Sequence, residues 1–321
     1  MRQLMYLQAI NEAFAEELER DEKVFLIGEG IQTGTFGTTT GLVDRFGPER
    51  IMDSPLAETA IAGVAVGASL MGYRPIADLM FSDFMYVCAD EVLLKAAQWR
   101  LMQGGTQKLP CVFVANMGGY RKLGNEHSQC PYSMMLHSPG LKVVIPSNPY
   151  DAKGLLKTAI RDDNPVAFLY HKGLLPMMGD VPEDDYTIPF GVADVKREGT
   201  DVTVIATSFQ LFWAMAAAEQ LESKISVEVI DPRTLEPLDM DTIMTSVAKT
   251  GRVVIVDEDT ERCGFAGELA TQIMEQGFYE LDAPIKRVCA KNYPIPGGIM
   301  EKFVLPQPEW VLQAIEDVMV D

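Results

Sequence analysis

Apolar residues recur along this chain at two spacings, and the switch between them divides it into elements. Leu4, Leu7, Ile10, Phe14 and Leu18 follow a helical interval and predict an amphipathic helix to about Arg20. The run VFLIGEG from Val24 then reads as a buried strand. A helix is predicted after Ala57, a strand over RPIADLMF (74–81), a long helix from Asp83 through Met102, and a strand over PCVFVAN (110–116). LKVVIP (141–146), the helix DAKGLLKTAI (151–160) and the strand PVAFLY (165–170) complete this series. Such βα alternation predicts a mostly parallel sheet flanked by helices. From Pro176 to Gly199 the period lapses into Met, Pro, Gly and acids, as in a linker leading to a short strand. Four further strands follow, DVTVIATSF, SVEVID, RVVIVDED and IKRVCAK, separated by helices of which AMAAAEQLES and GELATQIMEQGF are clearest. The expected architecture is α/β in two domains, residues 1–185 and 186–321, each a mostly parallel sheet with flanking helices. A length of 321 residues agrees with two cores.

Charge and cysteine usage narrow the function classes. Lys and Arg number 27 against 46 Asp and Glu, a formal net charge of −19, and no basic cluster offers itself to phosphates. Nucleic acid and anionic membrane are therefore poor partners. No apolar run is long enough to cross a bilayer. Cys88, Cys111, Cys130, Cys263 and Cys289 are widely spaced, with no CxxC pair, which fits a reducing cytoplasm better than a disulfide or zinc framework. Neither a basic apolar signal nor an Arg-rich transit segment opens the sequence, so a cytoplasmic location is expected. GEGIQTG, at 28–34, has the spacing GxGxxxG and no acid about 20 residues on at the end of a second strand; it is a poor dinucleotide fingerprint.

The stretch DSPLAETAIAGVAVGASLMGYRPIADLMFSDF (53–84) carries the first chemical signal. Glu58 stands alone at the head of an uncharged helix whose Gly63 and Gly67 fall among Ala, Val, Ile and Leu. Such a composition implies a helix buried on most sides and little water at its start, where a carboxyl holds its proton more readily. A first-turn acid favoured by the helix dipole is the simpler reading of the same residue. His127 lies in the irregular segment MGGYRKLGNEHSQCP between predicted elements, the kind of loop that carries catalytic groups on α/β sheets. Only three histidines exist; His137 reads as structural, and His171 ends a strand.

Over essentially its whole length the sequence resembles the β subunits of the thiamine-diphosphate-dependent 2-oxo acid dehydrogenases, the pyruvate, branched-chain and acetoin dehydrogenases. The Glu58 segment, GNEHSQCP at 124–131, HSPGLKVVIPSNPYDAKGLLKTAIRDDNP at 137–165 and VEVIDPRTLEPLD at 227–239 carry the resemblance. FSDFMYVCADEV, NPYDAKGLL and YHKGLL look most like the acetoin branch. The resemblance implies a transketolase-like pyrimidine-binding domain followed by a transketolase C-terminal-like domain. Glu58 would hydrogen-bond the cofactor's aminopyrimidine, and Leu56, Met80 and Phe84 would line that pocket, although Met80 and Phe84 read equally as core residues. His127 would act on the substrate side, where an imidazole suits proton transfer near neutrality. Ala159 through its carbonyl, Asp162 and Asn164, with carbonyls near Cys111, would hold a structural potassium ion; a polar helix cap accounts for the same turn. Glu29 would lie toward a subunit contact, within an acidic chain between active sites.

Two departures qualify the resemblance. Tyr120, Arg121, Lys122 and Glu126 stand before HSQ where many relatives have small residues and Gln. Arg121 and Lys122 read either as a site for an anionic substrate or as solvated loop charges, and Glu126 as a neighbour that could raise the proton affinity of His127. No GDG segment occurs, and Gly179-Asp180 continues as Val181-Pro182. The resemblance places this magnesium motif on a separate α chain. The expectation is thus an enzyme subunit, active only in an α2β2 heterotetramer, that cleaves a 2-oxo acid or acetoin-like substrate and passes the acyl unit to a lipoyl group on an acyltransferase component. The alternative is half of a split transketolase, transferring a ketol unit to an aldose.

Overall fold

Strands that are apolar on both faces need helices above and below, and this requirement organises both halves of the chain. A computed structural model describes residues 1–320. By internal contacts the chain forms two units, one of residues 1–117 and 134–190, the other of 118–133 and from 191 onward.

The first unit opens with β1 (Arg2–Met5), α1 (Tyr6–Arg20), β2 (Val24–Gly28), α2 (Leu42–Phe46), β3 (Ile51–Asp53), α3 (Glu58–Leu70) and β4 (Arg74–Phe81). After α4 (Ala97–Met102) come β5 (Val112–Met117) and a short helix, α5 (Tyr132–Leu136), which spans the division between units. β6 (Lys142–Val144), α6 (Pro149–Arg161), β7 (Val166–His171) and β8 (Met178–Val181) complete the series. Six strands form a parallel sheet in the order β6-β7-β5-β4-β2-β3, while β1 pairs antiparallel with β8. β5 and β7 are buried at every position. Gly28 permits the closest β2–β4 approach, since a Cβ there would lie 2.7 Å from the Asp78 carbonyl oxygen.

Two expectations are corrected in this unit. Residues 83–102 are not one regular helix: a 3-10 turn spans Ser82–Tyr86, a π-helical stretch Asp90–Ala96, and only Ala97–Met102 is α-helical. All these windings keep apolar residues on one side, so periodicity does not separate them; the Cys88 thiol, 3.7 Å from the Phe84 carbonyl oxygen, takes part where the winding changes. Nor is α3 buried on most sides. Glu58, Ile61, Ala62, Ala65 and Ser69 face inward, but Val64 is 45% exposed and Met71, just beyond the helix, 79%. An uncharged helix can also leave an apolar face for another chain.

The second unit contains β9 (Asp194–Arg197), β10 (Val202–Ala206), α7 (Gln210–Leu221), β11 (Val227–Asp231), a short β12 (Thr234–Glu236), α8 (Met240–Thr250), β13 (Val253–Thr260), α9 (Phe265–Gly277), β14 (Lys286–Ala290) and α10 (Pro308–Val318). Its sheet runs β14-β13-β10-β11-β9, parallel except for β9. Val202, Val204, Val229, Val254 and Val256 pack against Ala214, Ala218 and Leu221 of α7 and Val311 and Ile315 of α10. Asp239 caps α8, accepting from Thr242 N at 3.0 Å.

Candidate active site

Glu58 is the first residue of α3, at the carboxyl edge of the parallel sheet, one short turn after β3 ends. Ligands of parallel α/β sheets collect at this edge. The turn is fixed by Ser54 N donating to the Gly28 carbonyl (2.9 Å), and the helix start by Ala60 N and Ile61 N donating to Ala57 O. Glu58 is 8% exposed, and no described residue is hydrogen-bonded to its carboxyl in the structure. Thr59 Oγ1 donates to the Val87 carbonyl at 3.2 Å, tying this helix start to the turn that carries Phe84. Cys88 stands between them: burial first, then the charges of Glu91 and, to a lesser degree, Glu58, push its thiol up to about 12.

Met80 sits where the β4–β5 register shifts between Asp78 and Phe81, with a left-handed φ of 63°. Such strain persists when surrounding bonds over-determine it. Here Met80 N donates to Asp78 Oδ1 at 2.9 Å and its carbonyl accepts from Asn116 Nδ2 at 3.2 Å. Burial raises the Asp78 carboxyl to about 6, with the Met80 amide pulling the other way. Asn116 Nδ2 also donates to the Tyr170 hydroxyl at 3.0 Å, while its Oδ1 is buried without a partner among the described residues. Phe84 meets Phe81 edge-on at 5.7 Å, and Phe81 meets Phe36 in the same way at 5.2 Å. Leu56 is 68% exposed. The structure thus collects Leu56, Glu58, Met80 and Phe84 at one edge of the first unit's sheet.

His127 belongs to the second unit, on the segment 118–133. This segment is anchored at both ends. Gly119 N donates to Glu258 Oε1 (2.5 Å), Gln210 Nε2 donates to Glu258 Oε2 and to the Tyr120 hydroxyl (2.9 Å each), and that hydroxyl donates to the Pro306 carbonyl (2.9 Å). Lys122 N donates to Glu301 Oε2 at 3.1 Å. Tyr120 and Lys122 hold φ of 61° and 65°. Gly119 packs tightly here: a Cβ would lie 2.2 Å from Leu305 Cδ1, so any side chain would force Leu305 to shift. At the other end the Tyr132 hydroxyl donates to Asp257, which also accepts from Thr207 Oγ1 (2.9 Å) and Ala266 N (3.1 Å). Burial lifts the carboxyl of Asp257, and burial with the neighbouring Asp257 charge lifts that of Asp259 to about 7. His127 is half-buried, its N–H donating to the Gly124 carbonyl at 3.3 Å. Arg121, Lys122 and Glu126 are exposed. His171 ends β7 in the first unit, its Nδ1 accepting from Gly173 N at 2.9 Å.

The anchors Asp78, Asn116, Glu258 and Glu301 were not singled out by the sequence. Asp78 and Glu258 could have been found as acids inside the apolar runs RPIADLMF and VVIVDED; Glu301, in the 3-10 turn Gly298–Phe303, leaves no such mark.

The turn expected to hold potassium has its oxygens engaged by the chain itself. Lys142 pairs with Asp162 Oδ2, Asn164 N and Nδ2 donate to Asp162 Oδ1 (2.8 Å each), and Arg100 donates to Asn164 Oδ1 (2.5 Å). The carbonyls of Ala159 and Cys111 accept from Asp162 N and Val166 N. This donor set does not fit a cation.

Comparison with known proteins accounts for both units. Residues 2–178 match the transketolase pyrimidine binding domain and 191–311 the transketolase C-terminal domain. The chain is 43% identical to the acetoin:2,6-dichlorophenolindophenol oxidoreductase subunit beta of Bacillus subtilis, with 97% of this chain and 96% of that one covered. It is 44% identical to the 2-oxoisovalerate dehydrogenase subunit beta (99% and 99%) and 41% to the pyruvate dehydrogenase E1 component subunit beta (99% and 99%) of the same organism. The chain belongs to this family of dehydrogenase β subunits. The family fold extends to a split gene transketolase, recorded as an inactive β4 tetramer, with a TM-score of 0.81 at 22% identity over 99% of this chain and 98% of that one. Among the described residues no helix is long and apolar enough to cross a membrane.

Proposed function

We propose that this chain is the β subunit of an α2β2 thiamine-diphosphate-dependent dehydrogenase that cleaves a 2-oxo acid or acetoin-like substrate and passes the acyl unit to a lipoyl group of an acyltransferase. The observation that carries the reading is Glu58: a nearly buried carboxyl at a helix start, beside Met80 and Phe84 on the carboxyl edge of a parallel sheet, in a chain matching such β subunits end to end. These residues fit the pyrimidine half of thiamine diphosphate, which needs one carboxyl for a ring nitrogen and apolar or aromatic side chains for its faces. When bound, the cofactor supplies a carbanion at its thiazolium carbon.

Glu58 donates a proton to the pyrimidine nitrogen and keeps the ring's amino group poised as an internal base; a dry surrounding strengthens this bond and keeps water from the reacting carbon. Met80, fixed by Asp78 and Asn116, and Phe84, braced by Phe81, orient the ring. Leu56 closes against it once a partner covers its exposed side. His127 handles the substrate carboxylate or carbonyl proton. Magnesium and the diphosphate fall to the α chain, since this chain has no GDG segment. Potassium has no part in the reading. The thiols, none of them in a disulfide, suit the cytoplasm.

Glu58→Gln, reconstituted with the α chain, should assemble normally yet lose proton–deuterium exchange at the thiazolium carbon by about a hundredfold or more. Exchange at the parental rate overturns the role of Glu58. The split-transketolase alternative rests on a fold shared at 22% identity; ketol transfer to an aldose without lipoyl acylation would favour it.

A further inference from the structure

The disagreement between the expected potassium site and its donor set points to a replacement. Arg74, the first residue of β4, reaches the turn after α6 and donates through NH1 to the carbonyls of Asp162 (2.8 Å) and Ile160 (3.1 Å), and through NH2 to Asp163 Oδ1 (2.8 Å). Its Nε lies 3.8 Å from Asp21 Oδ2. One planar cation thus gathers the helix-end carbonyls and the acids of the turn, as a coordinated ion would. Lys142 on Asp162, Arg100 on Asn164 and Lys108 on Asp163 (2.6 Å) complete a ring of fixed positive charge.

We infer that Arg74 takes the place of a structural monovalent cation in this chain, so that the α6–β7 turn and the β4 start it supports are independent of potassium. Three physical points support this. A potassium ion needs a shell of carbonyl oxygens that replaces its water, and here the oxygens of Asp162 and Asn164 already accept from N–H groups. A guanidinium presents five donors in a rigid plane, enough to satisfy several oxygens at once. An ion entering this turn would also meet four cations at close range, three of which, Arg74, Lys142 and Lys108, already hold Asp21, Asp162 and Asp163. The inference stands on this chain's own contacts and survives if the catalytic reading fails.

The test uses the full chain, alone and reconstituted with its α chain. Elemental analysis after gel filtration in potassium-free buffer, and again after exposure to potassium chloride, should find well under one potassium per chain. The thermal midpoint should be the same in potassium and choline chloride at equal ionic strength. One retained potassium per chain, or a midpoint raised by potassium but not by choline, overturns the inference. Arg74→Ala should melt several degrees lower in choline and recover part of that loss in potassium, whereas Arg74→Lys should stay near the parent; an Ala variant as stable as the parent in choline removes the role of Arg74. Should the Ala variant fail to fold, the two measurements on the parent chain decide.

Discussion

Asp257 and Asp259 flank Glu258 at the end of β13; Asp259 N donates to Asp257 Oδ1 at 3.4 Å, while Glu258 accepts from Gly119 and Gln210. The aspartates cannot both ionise at low cost in a buried setting, and Asp259 is held at about 7. A carboxyl whose affinity for protons is raised by folding stabilises the native state while protonated. Its contribution is complete below about pH 4 and is lost as pH rises toward about 7. Denaturant titrations across that window should show stability falling for the parent chain, with a flatter profile for Asp259→Asn, which stays neutral. An unchanged slope in the variant would assign the dependence to other groups. At this scale the sequence was legible where a polar residue stood alone. Glu58 stands out because fifteen uncharged residues follow it. Asn116 did not, because nothing in CVFVAN says that its amide supports Met80 rather than facing solvent.

At the scale of elements, strands were read more surely than helices. Every buried strand appears near its expected place, since continuous apolar runs bounded by turn residues have few other uses in an α/β chain. Helical winding was not legible: 3-10, π and α turns follow one another between Ser82 and Met102. The loop carrying His127 was read as an irregular stretch of the first domain, and its contacts instead join it to the second unit, because those anchors are distant in sequence. The Lys122–Glu301 bond is one of them. Glu301→Ala leaves the Lys122 amide without this partner and should loosen residues 119–126 by about 1 kcal/mol, seen as faster amide exchange there. Lipoyl acylation should slow while exchange at the thiazolium carbon is spared, a split that general destabilisation does not produce.

At the scale of the molecule, the sequence conveyed what a single chain lacks. The missing GDG segment and the uncharged face of α3 point the same way: Val64, Leu70, Val87 and Leu94 are left to solvent around Glu58's helix and the adjacent π-helical stretch. Phe278 and Tyr279 of the second unit are exposed as well, Tyr279 by 95%. Calorimetric titration of the chain alone with thiamine diphosphate and magnesium should give weak binding or none, and tight binding only after the α chain is added. Tight magnesium-dependent binding by the lone chain would refute the two-chain arrangement.

The two-ended anchoring of residues 118–133 bears on how this protein can be taken apart. Cutting after Phe190, where the linear order of domains suggests, keeps the six parallel strands and Glu58 but discards Gln210, Asp257, Glu258 and Glu301. The excised piece would carry its histidine on an untethered strap with two non-glycine residues no longer held at left-handed φ. Chimeras between β subunits face the same constraint: exchanging residues 118–133 requires moving their distant anchors with them, four separate stretches of gene rather than one.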